Sequence, residues 1–304
     1  MSTVKNQRAT EAPPVVPLSS ALGADIVGLD LSQHLGDAAL QLIRDAWARH
    51  LVLRFRGQKL TDLQLERFSA RLGPLDRVPP YSPGVKSHVQ SDYVTVISNV
   101  MENGSPIGDL GDGEALWHTD MSYVEVPPAG SALYALEVPA SGGNTGFDNM
   151  YLAYETLPAD VRHSILALQC KHDITRNSGG GKRSGYEGEY SAREAPGALH
   201  PLVRTHPVTG RNALFLGRRR NADIPSLPEK ESEELLDQLW AHATSPQFTW
   251  HQQWKVGDLV LWDNRCVMHR RDAFDGKERR IMHRTQIGGE RPIPAQPAGE
   301  STTH

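Results

Sequence analysis

Apolar positions recur at helical spacing in "DAALQLIRDAWARH" (37 to 50), where Leu40, Ile43 and Trp47 fall on one side of a 3.6-residue turn. The spacing predicts a helix there, and "LVLRFRGQ" (51 to 58) follows as a short strand running into a glycine. A second helix is predicted over "TDLQLERFSARLG" (61 to 73), with Thr61 placed to cap its first turn and Gly73 to end it. Beyond it the pattern shifts to strands: "YVTVISNV" (93 to 100), "GSALYALEVP" (130 to 139), "NALFLG" (212 to 217), "DLVLWDN" (258 to 264) and "RIMHRTQIG" (280 to 288). Two helical stretches interrupt them, "NMYLAYETLPADVRHSILAL" (149 to 168), broken around Pro158, and "PEKESEELLDQLWAHATS" (228 to 245). Scattered strands with Gly and Pro punctuation and few compact βαβ repeats predict a mainly β fold with flanking helices, an antiparallel barrel or jelly roll.

The chain ends break this pattern. Residues 1–14 are polar with a Pro-Pro, and 293–304 are rich in Pro, Gly and hydroxyl residues, so both are expected to be flexible around a single domain over 15–292. Inside that domain, "RNSGGGKRSGYEGEYSAREAPGA" (176 to 198) is longer than ordinary connections and reads either as a surface excursion or as a lid over an active site. Its three consecutive glycines lack the spacing of a phosphate-binding loop.

Composition narrows the function classes. With 304 residues, 38% of them hydrophobic, the chain can bury a substantial core. A formal net charge of -4 gives no basic field for a nucleic acid or an anionic membrane. Two cysteines, Cys170 and Cys266, are too few for a disulfide framework, and no apolar run reaches signal-peptide or membrane-span length, so a cytoplasmic protein is expected. Its expected partners are a small-molecule substrate and further copies of itself as a homo-oligomer.

Thirteen histidines are present, so spacing has to select among them. In "ALWHTDMSY" (115 to 123), His118 and Asp120 stand two apart, and an extended chain turns both to one face, as half of a metal site requires. Alone, the same pair equally describes a strand-end histidine beside a turn aspartate. A 2-His-1-carboxylate set, which leaves positions open at Fe(II) for substrate and dioxygen, needs a second histidine from a distant strand. His269, just after "DLVLWDN", is placed to supply it; His172, His200 and His206 are competitors. In "RIMHRTQIG", Arg280 and Arg284 share a strand face with their Cα atoms ~13 Å apart. They form either a solvated basic edge or a pair of inward guanidinium groups that bind carboxylates, as a dicarboxylate co-substrate would offer. "GRRR" (217 to 220) adds cations that either steer an anion or sit in water.

The segments "ALWHTDMSYVEVPPAGSALYALEVPASGGNTGFDNMYLAYETLP", "GDLVLWDNRCVMHRRDAF" and "ERRIMHRTQIGGERP" resemble the taurine dioxygenase / 2,4-dichlorophenoxyacetate dioxygenase family of Fe(II)- and 2-oxoglutarate-dependent oxygenases. The likeness runs from about residue 15 to 292 and includes "LGADIVGLDLS" and "VLRFRGQ". It implies a double-stranded β-helix (jelly-roll) fold, with His118, Asp120 and His269 as the iron ligands and catalytic centre. It also implies that Thr145 and Arg280 hold 2-oxoglutarate, and that Arg284 reaches the substrate's anionic group. Asn144 departs from the aspartate that relatives often carry before that threonine. The implied reaction consumes O2, releases succinate and CO2 and hydroxylates an unactivated C–H of a small, anionic substrate such as a sulfonate or aryloxyalkanoate. His88 and Asn99 are candidates to line its pocket. Alternatives are a larger, neutral or amine-bearing substrate, a non-catalytic cupin-like binding protein, and a zinc hydrolase, since three protein ligands and a water also suit Zn2+.

Overall fold

Alternating side chains of one large sheet feed two separate cores. The computed structural model describes residues 12–78, 81, 84–89, 91–110 and 115–296. Its largest sheet has eight strands in the order Val15–Pro17, Ala24–Ile26, Val52–Phe55, Leu259–Asp263, Gly130–Glu137, Ile281–Ile287, Thr95–Ser98 and Asp109–Leu110. The central pairs are antiparallel, with Leu261 opposite Leu53 on one side and Ala132 on the other. Because successive side chains leave opposite faces, Leu53, Phe55, Ala132, Tyr134, Leu259 and Leu261 pack on one side. Val52, Leu133, Ala135, Val260, Trp262 and Met282 pack on the other. Both sets are buried, which is why these strands read as unbroken apolar runs.

The first face is covered by the helices Asp37–His50 and Asp62–Ala70, which contribute Ile43, Ala46, Trp47, Leu65 and Phe68. Thr61 caps the second helix through a reciprocal pair of bonds with Gln64. Gly73 does not end it: the helix stops at Ala70, and a Cβ on Gly73 would lie 2.7 Å from Ile287 Cγ2. The glycine there permits a close approach to the sheet.

The second face meets a four-stranded antiparallel sheet in the order Thr249–Gln252, Thr145–Asn149, Val267–Arg271, Ala115–His118. The apolar pattern predicts none of the first three. Phe147 bridges the two sheets, its ring centroid 5.6 Å from that of Trp262 and 6.2 Å from that of His269. Both Phe147 and Trp262 are buried, and removal of such an aromatic costs about 3–5 kcal/mol, so the sheets are firmly joined beside His269.

The break at Pro158 is as expected, separating Met150–Glu155 from Ala159–Ile165, and Glu229–Ala243 forms the late helix. The ordered chain runs past the predicted boundary at 292: Ile293–Pro294 pairs with Val203–Thr205, and Ala295 N donates to Val203 O. Residues 297–304 and 1–11, where flexible ends are expected, lie outside the described residues. Among the described residues no helix is long and apolar enough to cross a membrane.

Candidate metal centre

Sheet register sets two histidines side by side. His118, the last residue of Ala115–His118, pairs with His269 of Val267–Arg271, and their ring centroids are 4.2 Å apart. The strand ends there, so Asp120 is delivered by a turn rather than by continued extension. Asn264 holds that turn: its Oδ1 accepts from Asp120 N, and its Nδ2 donates to Asp120 O and Pro128 O, each at 2.9 Å. Met121 follows at φ 48°, in the left-handed region, and carries the chain away.

The result is a convergent set of two nitrogens and one oxygen. His118 Nε2 lies 3.7 Å and His269 Nε2 3.9 Å from Asp120 Oδ1, and all three residues are buried. One ligand atom from each lies within 4.8 Å of the others. His118 Nδ1 donates to Leu116 O at 2.7 Å, which fixes the ring with Nε2 toward Asp120. Burial opposes the charge on Asp120, yet Arg284, His269 and His118 together outweigh it and hold the carboxyl well below the usual range. Burial, reinforced by His118, brings His269 down to about 3, so its imidazole is neutral. An ionised carboxylate beside a neutral imidazole is the protonation state that metal ligation requires.

Cations surround the set. Arg284, on Ile281–Ile287, places Nη1 3.2 Å from both Asp120 oxygens, and Ser131 Oγ donates to Asp120 Oδ2 at 3.0 Å. Arg280 is 2% exposed, its Nε has no partner, and burial together with nearby Arg271 lowers it to about 9, so it stays charged at neutral pH. Thr145 Oγ1 accepts from Trp254 Nε1 at 3.0 Å, leaving the hydroxyl proton free to donate elsewhere.

Two expected pocket residues are engaged elsewhere. Asn99 donates to Gly276 O and Glu278 O and accepts from Arg280 N at 2.9 Å, so it closes the 276–280 turn and steadies the Arg280 backbone. His88 is exposed, with Nε2 3.1 Å from Glu102 Oε2. Sequence proximity suggested both; neither stands among the side chains around Asp120. The competing histidines also lie apart. His172 and His200 stack edge to face with each other against Phe215. His206 bonds Asp263 at 3.0 Å in a second buried group with Cys266. There Arg265 already takes both Asp263 oxygens, and His206 Nδ1 accepts from Val208 N and Thr209 N. That network braces the turn that carries Asn264.

Residues 14–286 match the family described as taurine catabolism dioxygenase TauD, TfdA family. The chain belongs to that family. The (S)-phenoxypropionate/alpha-ketoglutarate-dioxygenase of Sphingobium herbicidovorans is 35% identical, over 91% of this chain and 95% of that one. The alpha-ketoglutarate-dependent 2,4-dichlorophenoxyacetate dioxygenase of Cupriavidus pinatubonensis is 33% identical, over 88% and 95%. The crystal structure of AAD-2 in complex with Mn(II) and N-oxalylglycine superposes with a TM-score of 0.77 at 30% identity, covering 92% of this chain and 100% of that one. As a TauD, TfdA family dioxygenase the chain is an oxidoreductase that uses Fe(II), 2-oxoglutarate and dioxygen. Asn264 and Ser131 are the residues of this site that the sequence reading missed. The "WDN" turn was visible, but its amide's grip on Asp120 is a contact across more than a hundred residues.

Proposed function

We propose that His118, Asp120 and His269 hold the iron, that Arg280 and Thr145 bind 2-oxoglutarate, and that the enzyme hydroxylates an unactivated C–H of a small organic anion with release of succinate and CO2. The observation that carries this reading is the buried two-nitrogen, one-oxygen set, with Asp120 ionised and His269 neutral, beside a buried guanidinium. Those donors suit Fe(II), and three protein ligands leave the rest of its coordination sphere for co-substrates. Bound iron supplies the redox chemistry that couples dioxygen and 2-oxoglutarate to C–H hydroxylation. The protein's residues do the rest. Arg280, which has no carboxylate partner among the described residues, pairs with a carboxylate of 2-oxoglutarate, and the free Thr145 proton donates to it. Arg284 supports the Asp120 charge and presents a cation toward the substrate space.

The two sheets are the faces of a double-stranded β-helix in this reading. The 176–198 segment, whose Ser178 O accepts from Leu116 N next to His118, serves as its lid. The phenoxypropionate and dichlorophenoxyacetate in the relatives' names favour an aryloxyalkanoate or a similar anion as substrate. A cytoplasmic homo-oligomer without nucleic acid or membrane partners fits the net charge of -4.

Anaerobic addition of Fe(II) and 2-oxoglutarate should give a visible metal-to-ligand charge-transfer band, and admission of O2 should release succinate. Asp120→Ala should abolish both. Turnover that proceeds without O2 and 2-oxoglutarate would instead identify a hydrolase.

A further inference from the structure

The turn that follows Thr249–Gln252 is tied down from both sides. Gln252, opposite Thr145 on the neighbouring strand, is buried; its Nε2 donates to Asp258 Oδ2 at 2.8 Å and its Oε1 accepts from Arg54 Nη1 at 3.0 Å. Asp258 Oδ2 also accepts from Lys255 N at 2.9 Å and pairs with Arg56, whose guanidinium reaches Gln253 O at 3.3 Å. Gly257, at φ +83°, closes the turn: its N–H donates to Ala135 O at 2.9 Å and its carbonyl accepts from Gln58 N at 2.7 Å. A Cβ there would lie 2.7 Å from Gln58 O, so glycine is what lets the turn come so close.

Trp254 stands in the middle of this turn, with Gln253 and Lys255 held on either side of it. Its indole packs against the core of the second face, and Nε1 donates to Thr145 Oγ1 at 3.0 Å. Packing alone does not call for that bond, since the indole N–H groups of Trp47, Trp240 and Trp262 are buried without a partner. An indole nitrogen only donates, whereas a threonine hydroxyl has one proton and two lone pairs. With one lone pair taken by Trp254, the Thr145 proton points away from the indole. Among the described residues no group accepts it.

Thr145 and Arg280 lie close together. A Cβ built on Gly143 would be 3.5 Å from Arg280 Cδ, so the Arg280 chain runs beside the start of Thr145–Asn149. Arg271, the cross-strand partner of Thr145, is near enough to act on the Arg280 charge.

We infer that Trp254 is a positioning residue for the co-substrate: its indole N–H locks the Thr145 hydroxyl as a donor toward the carboxylate that Arg280 pairs with. This rests on the reading in which Thr145 and Arg280 hold 2-oxoglutarate, and deepens it by making co-substrate affinity depend on a residue that acts through another. A hydroxyl left free would be spread over several orientations and would have to be ordered when the ligand binds. The indole bond orders it beforehand, which strengthens binding without any contact of its own.

The test is 2-oxoglutarate binding to the protein loaded anaerobically with Fe(II), followed by calorimetry and by the charge-transfer band. Trp254→Phe keeps an aromatic ring in the core and deletes the N–H; Trp254→benzothienylalanine keeps the whole shape and exchanges only the N–H for sulfur. Each should raise the 2-oxoglutarate Kd about 3- to 10-fold, the worth of one hydrogen bond, and leave the Fe(II) Kd unchanged. Thr145→Val should weaken 2-oxoglutarate about 10- to 100-fold, as loss of a charge-assisted bond does. In that background either Trp254 variant should add less than about twofold, because the bond it breaks is already gone. Thr145→Ser keeps the hydroxyl, so there Trp254→Phe should retain its full effect. The inference is overturned if both Trp254 variants bind 2-oxoglutarate like the wild type. It is equally overturned if their loss persists in the Thr145→Val background or if Fe(II) affinity falls with it, since a packing defect would do both. Should Trp254→Phe fail to fold, the isosteric variant decides. Weaker 2-oxoglutarate binding in Thr145→Val and Arg280→Gln with no effect of the Trp254 variants sinks only the role of Trp254. No effect in any of them sinks the assignment of the co-substrate to Thr145 and Arg280.

Discussion

Asn264→Leu isolates the turn that delivers Asp120. Asn264 is 1% exposed, and its amide makes all three side-chain bonds that tie the turn down, to Asp120 N, Asp120 O and Pro128 O at 2.9 Å each. Leucine has nearly the same size, so little cavity forms and the loss falls on polar groups left without partners. At ~1 kcal/mol for each orphaned group the fold should lose about 3 kcal/mol. For a chain of 304 residues that is a fall in Tm of about 5 °C. A well-folded domain survives such a loss, and the metal site should suffer more than the fold does.

Freed from Asn264, Asp120 no longer stands fixed against His118 and His269, and loss of such a support typically lowers metal affinity about 10- to 100-fold. Calorimetric melting gives the first quantity and anaerobic Fe(II) titration gives the second. Asn264→Asp keeps the acceptor for Asp120 N but sets a carboxylate against two carbonyl oxygens, so it should rescue neither. A folded Asn264→Leu protein with wild-type Fe(II) affinity would refute the positioning role, whatever happened to its Tm.

Arg280→Gln should raise the 2-oxoglutarate concentration needed for the charge-transfer band by about 10- to 100-fold while leaving Fe(II) binding unchanged, and an unaltered requirement would remove Arg280 from that role. Asp148, buried on Thr145–Asn149 opposite Met268, is raised by that burial to about 7 from 3.8, against opposing help from Thr249 and Arg270. The folded protein therefore holds this proton more tightly than the unfolded chain, so the stability it contributes is full below about pH 4 and is lost as pH rises through about 7. Asp148→Asn should remove that loss and exceed the wild type at mildly alkaline pH, by up to about 4 kcal/mol in urea unfolding; equal pH dependence in the two proteins would show that folding leaves the Asp148 pKa unshifted.

What could be read from the sequence follows from which faces are apolar. Asp37–His50 is legible to the residue because Leu40, Ile43 and Trp47, at helical spacing, are all buried. Gly130–Glu137, Leu259–Asp263 and Ile281–Ile287 were visible because cores lie on both sides of them. Thr145–Asn149, Thr249–Gln252 and Val267–Arg271 were not. Buried positions on those strands are held by Thr145, Gln252, His269 and Arg271, so polar residues, two of them from the candidate site, erase the alternation that would reveal the strand. The ligand candidates could be chosen because His118 and Asp120 are near in sequence and His269 follows a recognisable strand. Asn264 could not, since it acts through hydrogen bonds to the Asp120 backbone that only the folded chain makes.

The distribution of charge explains why such a site needs two well-filled cores around it. Asp120 is shared between Arg284 and the two imidazoles, while Arg280 is buried with no carboxylate of its own among the described residues. An unpaired buried guanidinium costs several kcal/mol of solvation that no protein group returns. An apolar residue of similar size would be more stabilising there. The cation makes sense if an anionic ligand supplies the missing charge, and in the proposed function that ligand is 2-oxoglutarate. The anion then stabilises the folded protein by its own binding free energy. The cost of burying these charges is offset by the sheet and helix packing around Phe147, Trp262 and Trp47, which holds the strands of the polar centre in place.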